Sequence, residues 1–387
     1  MTSFPQSPAA RLSAWFMRRT VPSAVRRVAQ LNAAVATDVG MVREENQDRV
    51  ALMRGADRNG VTFILAALAD GIGGMQRGAE CASITLGTFI DSVVTEAQQS
   101  PDPRDWLRRA SVRANRAVHT RHAGDGGSTL AAILMAKGHR TLWLSIGDSR
   151  VYHAAVAKLT QLSRDDTLEG QLGKPIEGGR RTELLQFVGI GENLEPHIEV
   201  APLDQAGTML LTSDGVHFID SDYLAKVVHF APDLGVCARR LTDLAKMLGG
   251  PDNASVVALS MDALKADPEA HLDSSFEVWD PFGELQVLFD RGSRRYPSTG
   301  PSPSPEAPRA ETPAADAKSP ERQAEGKETS EQKLADAALG DDGGKAKGQK
   351  KAKGGRKSRA KGAKVERGPA DQGEVPQLLI EFPHKAS

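Results

Sequence analysis

Five aspartates stand at the same kind of place in this chain, at the end of a short apolar run beside a tight turn. Asp70 follows ILAALA and precedes Gly71, Asp148 follows LWLSIG, and Asp214 follows MLLTS and precedes Gly215. Asp252 lies in GGPDNASVV just before the last apolar run, and Asp48 closes VREENQD before RVAL. A carboxylate at the edge of a core is costly unless it is paired or holds a cation. Any one of these residues alone reads as a turn former or a helix cap. Five in one domain, with few lysines nearby to neutralise them, point to a shared site of oxygen donors. Oxygen-only ligands select hard cations: Mg²⁺, Mn²⁺ or Ca²⁺. No dense Cys/His cluster competes. HTRH (119–122) sets two histidines three apart, but within a basic helical stretch that reads as surface.

The stretch LADGIGGMQRGAE (68–80) admits a second reading, because glycines after a strand can also cradle a phosphate. Its spacing argues against that. The pattern is Gly71-x-Gly73-Gly74-x-x-x-Gly78, not G-x-G-x-x-G, and no G-x-x-x-x-G-K-[ST] occurs. An aspartate at the first turn would repel a pyrophosphate, and the surrounding elements do not alternate as βαβ.

The elements that must position these residues are legible in outline. Runs at 61–69, 128–136, 141–147, 150–154, 208–213 and 254–261 are short and rich in Val, Ile, Leu and Thr, and read as strands. KGH (137–139) and GDS (147–149) are short polar breaks of hairpin type, so antiparallel pairing is expected across both. Apolar residues at spacings of three and four predict helices over 75–99 and 103–122, the second with Pro103 in its first turn. Two further helices are expected over 221–230 and 233–248. The order is strands, two helices, hairpins, two helices and a last strand, which predicts an α+β fold with helices packed on antiparallel sheets.

Composition divides the chain of 387 residues. From about residue 294 large apolar residues become scarce, and such a segment cannot bury enough surface to offset its conformational entropy. A disordered Pro/Ala/Lys-rich tail is therefore expected over 294–387, with a folded domain ending near 263. Residues 345–367 carry eleven Lys/Arg and one Glu, a net +10 that leaves −11 for the rest of the chain. An acidic globular part with a basic tail is not the profile of a dedicated nucleic-acid-binding domain, and the basic run reads as solvated. EVPQLLIEFP (374–383) is a short apolar island suited to partner docking, and 264–293 contains FEVWDPFGELQVLF, an extra segment expected to cover the domain's edge. At the other end, 1–31 is basic and partly amphipathic. A loosely ordered extension is expected there, with a membrane-surface or partner-docking helix over 11–31 as the alternative. The two cysteines, Cys81 and Cys237, form no CxxC, which suits a reducing compartment. No apolar run approaches the roughly 18 residues of a membrane span, and no signal-peptide core is apparent. A cytoplasmic monomer is expected.

Taken in order, the blocks DVGMVREENQDRV (38–50), LADGIGGMQRGAECAS (68–83), GGSTLAAIL (126–134), SIGDSRVY (145–152), LTSDGV (211–216) and GGPDNASVV (249–257) resemble the PP2C family of metal-dependent protein serine/threonine phosphatases, in its bacterial form. The resemblance covers about residues 32–263. It implies a four-layer αββα sandwich, two antiparallel sheets flanked by helices. It also implies hydrolysis of phosphoserine and phosphothreonine in proteins by a metal-activated bridging water at a binuclear Mn²⁺ or Mg²⁺ centre, opposing a bacterial Ser/Thr kinase.

On that resemblance Asp70 bridges the two ions and Gly71 lends its carbonyl. Asp214 and Asp252 hold one ion, Asp48 supports the other, and Asp148 matches the aspartate of a third, weaker site. Arg43 matches the arginine that binds the substrate phosphate. Two departures stand out. Gln47 replaces a glutamate found in many members, which implies a weaker second site. Ile72 stands where many eukaryotic members have histidine, so no side-chain acid is expected at that point. Residues 163–199 match the family's flap, where Arg180 and Arg181 are read as solvated surface. The competing readings are a catalytically inactive binding module, and binding of nucleic acid or an anionic surface through the Lys-rich tail.

Overall fold

A strand covered on both faces cannot alternate apolar with polar residues, so it reads as an unbroken apolar run even in an antiparallel sheet. The computed structural model of the chain describes residues 7–72, 77–155, 158–173, 183–202, 207–266 and 275–288, and its inner strands are of this kind, while those at the sheet edges are partly exposed. In chain order they are β1 (Ser23–Val28), β2 (Ala33–Asp38), β3 (Arg49–Ala56), β4 (Thr62–Ala69), β5 (Leu130–Ala136), β6 (Leu142–Ile146), β7 (Arg150–Ala155), β8 (Lys158–Gln161), β9 (His197–Val200), β10 (Thr208–Thr212), β11 (Ala254–Ser260), β12 (Ser275–Asp280) and β13 (Gly283–Leu288). The longer helices are α1 (Pro8–Phe16), α2 (Gly78–Ala97) and α3 (Pro103–His122). They are followed by a short α4 (Leu168–Leu172), the single turn α5 (Asp214–His217), then α6 (Ser221–His229), α7 (Leu234–Met247) and the turn α8 (Ala263–Ala266).

Among the described residues the strands form two antiparallel sheets. One has six strands in the order β1-β2-β11-β10-β7-β8, the other seven in the order β13-β12-β3-β4-β5-β6-β9. The period of two along β4 sorts its side chains into two cores. Phe63, Leu65 and Ala67 join Leu86, Phe89, Trp106 and Leu107 of α2 and α3. Ile64, Ala66 and Leu68 join Val35, Met209 and Val257 of the opposite sheet. A third core packs α6 and α7, through Leu224, Cys237 and Leu241, on the outer face of the six-stranded sheet. The result is the four-layer αββα sandwich, with each sheet between the other sheet and a helix layer. The expected runs become β4, β5, β6, β7, β10 and β11, and the expected helices become α2, α3, α6 and α7. α3 begins where its cap dictates: Asp102 accepts the backbone N–H of Arg104 at 2.9 Å and Pro103 fills the first turn.

Two expectations change. KGH does join the antiparallel pair β5–β6, but GDS (147–149) is not a hairpin. It carries the chain from β6 in one sheet to β7 in the other. The crossing is pinned by Asp166, whose backbone N–H donates to the Gly147 carbonyl and whose carboxylate accepts the Gly147 N–H, both at 2.9 Å.

The second change is at the N-terminus. Read from sequence alone, 1–31 is a loosely ordered extension or a surface helix, yet from Pro8 it is built into the domain. Leu12 and Phe16 of α1 enter the core above α2. Arg18 reaches Asp280 at the end of β12 at 2.7 Å. After Val21 and Pro22 the chain pairs along the full length of β1 with β2. Leu12, Phe16, Val28 and Leu31 are thus buried in the domain, and Arg18, Arg26 and Arg27 pair with Asp280, Glu284 and Asp233. Among the described residues no helix is long and apolar enough to cross a membrane.

Residues 275–288 form the hairpin β12–β13, which extends the seven-stranded sheet beyond β3. The tail from 294, with its basic run 345–367 and apolar island 374–383, lies outside the described residues, as do Arg180 and Arg181.

If α1 is part of the domain, Leu12→Ala lowers its unfolding free energy by about 2–5 kcal/mol, the usual cost of emptying a leucine site in a core. Urea denaturation followed by tryptophan fluorescence measures this. An unchanged midpoint would mean that α1 contributes nothing to the fold.

Candidate functional site

The strand register fixes where the loops meet. Asp38 pairs with Ala254, and Thr212 pairs with Val256 on one side and Arg150 on the other. In the second sheet Arg49 pairs with Ala69 and Leu130 with Ile146. All of these pairs lie at one end of the sandwich, so the turns that follow Asp38, Ala69, Ile146 and Thr212 and precede Ala254 converge. They enclose an open cleft of about 1060 Å³ lined by Arg43, Asp70, Gly71, Asp148, Asp214 and Asp252. Asp48 is placed differently. It is 4% exposed and lies behind the cleft, in a small cavity shared with Thr37, Asn46 and Arg49.

Close backbone packing holds the turns together. Gly71 donates its N–H to the Gln47 carbonyl at 3.3 Å, and a Cβ at Gly71 would collide with the Gly78 carbonyl. Gly40 (φ +81°) lies against the carbonyls of Asp252 and Gly250, a position and a conformation that exclude other residues. Asn253 ties three points of the 39–47 loop. Its Nδ2 donates to the carbonyls of Val39 (2.8 Å) and Glu45 (3.0 Å), and its Oδ1 accepts the Gln47 N–H (2.8 Å). Thr129 does the same for Asp70. Its Oγ1 accepts the Asp70 N–H at 3.0 Å, and its own N–H donates to the Asp70 carbonyl at 2.8 Å.

The electrostatics of the cleft are those of crowded like charge. Burial, and then the carboxylates of Asp48, Asp214, Asp148 and Asp252, hold Asp70 well above the usual carboxylate range. Burial pushes Asp48 and Asp148 each up to about 7, with Asp214 adding to both, and pushes Asp214 to about 6 with help from Asp252. Some of this charge has partners. Ser213 Oγ donates to Asp48 Oδ2 at 2.8 Å, and the Asn253 N–H donates to Asp252 Oδ1 at 2.8 Å. Arg43 Nη2 donates to Asp252 Oδ2 at 2.6 Å, and that hydrogen bond is the main reason the guanidinium's pKa rises. His217 also lines the cleft, but burial and then Arg150 hold it well below the usual imidazole range, so it stays neutral.

Do these residues suit a cation? As they stand among the described residues, no group of three or more His, Cys, Asp or Glu is closed into a ligating set. Asp252 is turned to Arg43 and Asp48 to Ser213. Two observations favour a hard cation nevertheless. Asp48 Oδ1 is buried and makes no hydrogen bond among the described residues. The donors at the cleft are oxygens whose mutual repulsion a divalent ion would relieve.

Of the residues singled out from sequence, seven line the cleft, Ile72 among them, and Asp48 backs it. Gln47 does not face the cleft; its Oε1 packs 2.6 Å from the point a Cβ on Gly78 would occupy. Asn253, Ser213 and Thr129 were missed by sequence reasoning. The one signal for the first two was adjacency to Asp252 and Asp214. HTRH is absorbed into packing: His119 Nδ1 pairs with the Gly189 carbonyl at 3.0 Å.

The family model for protein phosphatase 2C matches residues 42–249. Serine/threonine protein phosphatase PstP of Mycobacterium tuberculosis is 31% identical over 245 residues, which span 59% of this chain and 44% of that protein. The chain therefore covers less than half the length of this curated relative. Serine/threonine phosphatase stp of Listeria monocytogenes is 24% identical over 256 residues, spanning 62% of this chain and 100% of that protein. A solved serine/threonine phosphatase of S. agalactiae superposes with a TM-score of 0.51 at 23% identity, over 59% of this chain and 98% of that one, a likeness of fold.

If the cleft is a cation site, Mn²⁺ raises the thermal midpoint, by the equivalent of about 2.7 kcal/mol at one hundred times its dissociation constant. Asp70→Asn removes that rise and, by deleting a buried charge among like charges, raises the midpoint of the cation-free protein. Differential scanning fluorimetry reads both. A variant that still responds fully to Mn²⁺ places the ion elsewhere.

Proposed function

Because the chain belongs to the protein phosphatase 2C family, we propose that it is a metal-dependent protein phosphatase that hydrolyses phosphoserine and phosphothreonine in proteins, reversing a Ser/Thr kinase. The observation that carries the reading is the convergence of Arg43, Asp70, Asp148, Asp214 and Asp252 on one open cleft from five separate turns. Neither an isolated binding module nor a tail-driven surface binder needs that constellation.

Mn²⁺ or Mg²⁺ ions would be held by Asp70 and the Gly71 carbonyl, with Asp214 and Asp252 at one position, Asp48 supporting a second and Asp148 a third. Bound there, such ions supply Lewis acidity, which acidifies water and offsets phosphoryl charge. The chain's own residues do the rest. Arg43 offers a planar fork of N–H donors to the phosphoryl oxygens and is 41% exposed, within reach of a polypeptide at the cleft mouth. To do so it exchanges the carboxylate of Asp252 for the phosphate, an exchange of one anionic partner for another. Asp48 supports from behind, oriented by Ser213. Asn253 keeps the 39–47 loop, and hence Arg43, at its distance from Asp252.

Proton delivery falls to solvent. Ile72 lines the cleft and has no acidic proton, and His217, half-buried in the cleft wall, is held well below the usual imidazole range. The leaving serine or threonine oxygen therefore draws its proton from water at the cleft mouth.

On this reading, purified protein releases phosphate from a phosphothreonine peptide only with Mn²⁺ or Mg²⁺ present. Asp70→Asn and Asp214→Asn abolish turnover. Arg43→Ala lowers kcat/KM by about 10²–10³, the range for removing one preorganised donor to developing charge. Circular dichroism checks that each variant is folded. Folded aspartate variants with wild-type turnover would defeat the proposal.

A further inference from the structure

Large apolar side chains left in solvent are ordinary when scattered and informative when they touch. Among the described residues twelve large hydrophobic residues are strongly exposed; Phe218 lines the cleft itself, and four others stand on the two turns that lead into it through Arg43 and Asp252. Met41 and Val42 are 65% and 68% exposed, and Met247 and Leu248 are 68% and 52% exposed. They come from two turns that are bonded to each other. Met41 donates its N–H to the Gly250 carbonyl at 2.9 Å, and the Met41 Cγ lies 3.1 Å from the point a Cβ on Gly250 would occupy. Met247 and Leu248 end α7 just before Gly250. The same two turns continue into the cleft as Arg43 on one side and Asp252 on the other, joined at 2.6 Å.

We infer that this rim receives apolar side chains flanking the phosphorylated residue of a protein substrate, so that the enzyme favours phosphothreonine or phosphoserine sites set among aliphatic neighbours. The inference rests on the phosphatase reading of the cleft and names its substrate class. The occupant follows from continuity. A phosphate held at Arg43 fixes one residue of an extended chain, and each further residue advances about 3.3–3.6 Å. The positions next to the phosphoresidue on that side then lie over Val42 and Met41, which precede Arg43 in the same turn. Lys246, the nearest cation in sequence to Met247, is engaged by Asp38 at 3.1 Å, and the exposed Glu44 and Glu45 follow Arg43 on the side away from Met41 in sequence. Methionine, unbranched and polarisable, suits a surface that must accept several aliphatic shapes.

The test compares three substrates with Mn²⁺ present: p-nitrophenyl phosphate, which has no flanks, and two phosphothreonine peptides of equal length with Leu/Val or Gly/Ser at the flanking positions. Wild-type protein is expected to favour the aliphatic peptide by about tenfold in kcat/KM, the scale of a few methylene groups in an apolar contact. Met247→Ser/Leu248→Ser reduces that preference to less than about threefold, since part of the contact area is lost. Its p-nitrophenyl phosphate turnover is unchanged. Met41→Ser/Val42→Ser does the same. The first pair lies on a different element from Arg43, so a local disturbance of the arginine cannot mimic the effect.

Equal kcat/KM for the two peptides, or a preference kept by both variants, overturns the inference while p-nitrophenyl phosphate turnover leaves the phosphatase reading standing. A wild-type dimer that the serine variants convert to monomer, without peptide discrimination, overturns it in favour of a second copy of the chain as occupant. No turnover of any of the three substrates overturns the phosphatase reading and the inference with it.

Discussion

The mutual repulsion of carboxylates gathered at one end of two sheets is the constraint that the rest of the structure answers. Asp70 feels Asp48, Asp148, Asp214 and Asp252 together, and every one of those influences raises its pKa. A chain free to relax would swing such groups into water. It cannot here, because each aspartate is fixed within a few residues of a strand end, and the strands are locked by apolar layers on both faces. The three cores are thus what makes the charge cluster affordable. The partners found for individual oxygens, Ser213 for Asp48 and Arg43 for Asp252, only temper it.

Strands place the backbone of the site, and a few polar side chains place its loops. Asn253 is the main example. With three hydrogen bonds it holds a ten-residue excursion between β2 and β3 that has no regular structure of its own. Thr129 clasps the backbone of Asp70 on both sides, and its Oγ1 lies 2.7 Å from Ser149 Oγ, next to Asp148. In this way the turn after β4 that carries Asp70 and the crossing between the two sheets that carries Asp148 share a hydroxyl link. Asp166 works the same seam from the far side. It bonds Gly147, and its Oδ1 meets His197 Nε2 of β9 at 2.9 Å.

Six of the strands, four helices and the five aspartates were legible in sequence because each is a local signal: an unbroken apolar run, a three-four spacing, an acid before a turn. What was not legible depends on distant chain. GDS looks like any tight hairpin, and whether it folds back or crosses to a second sheet depends on where β10 and β9 lie. The first thirty residues read as a basic extension because their arginines dominate. The place of Arg18 beside Asp280 is set by a residue 262 positions away, and the pairing of β1 follows from its turn onto β2, itself held by β11 far along the chain. Arg43 and Asp252 are likewise separated by 209 residues. Asn253 passes unnoticed in the sequence, since nothing in its neighbours announces that its side chain faces the 39–47 loop from more than two hundred residues away.

Ile72 shows why the residue after Gly71 can be aliphatic without loss of order in the cleft wall. Its N–H donates to the Gly127 carbonyl at 3.1 Å. Its Cδ1 and the Phe187 ring both crowd Gly127: a Cβ there would sit 2.8 Å from the first and 2.5 Å from the second. Phe187 lies ahead of β9, and Val188 beside it bonds Ser128 in both directions at 2.8 and 3.0 Å. An imidazole at position 72 would set a polar ring into this apolar contact and would need a hydrogen-bond partner there. The aliphatic side chain instead joins the Asp70 turn, the 126–129 turn and the 187–188 segment into one wall. That wall keeps Asp70 at a fixed place among charges that would otherwise drive it away.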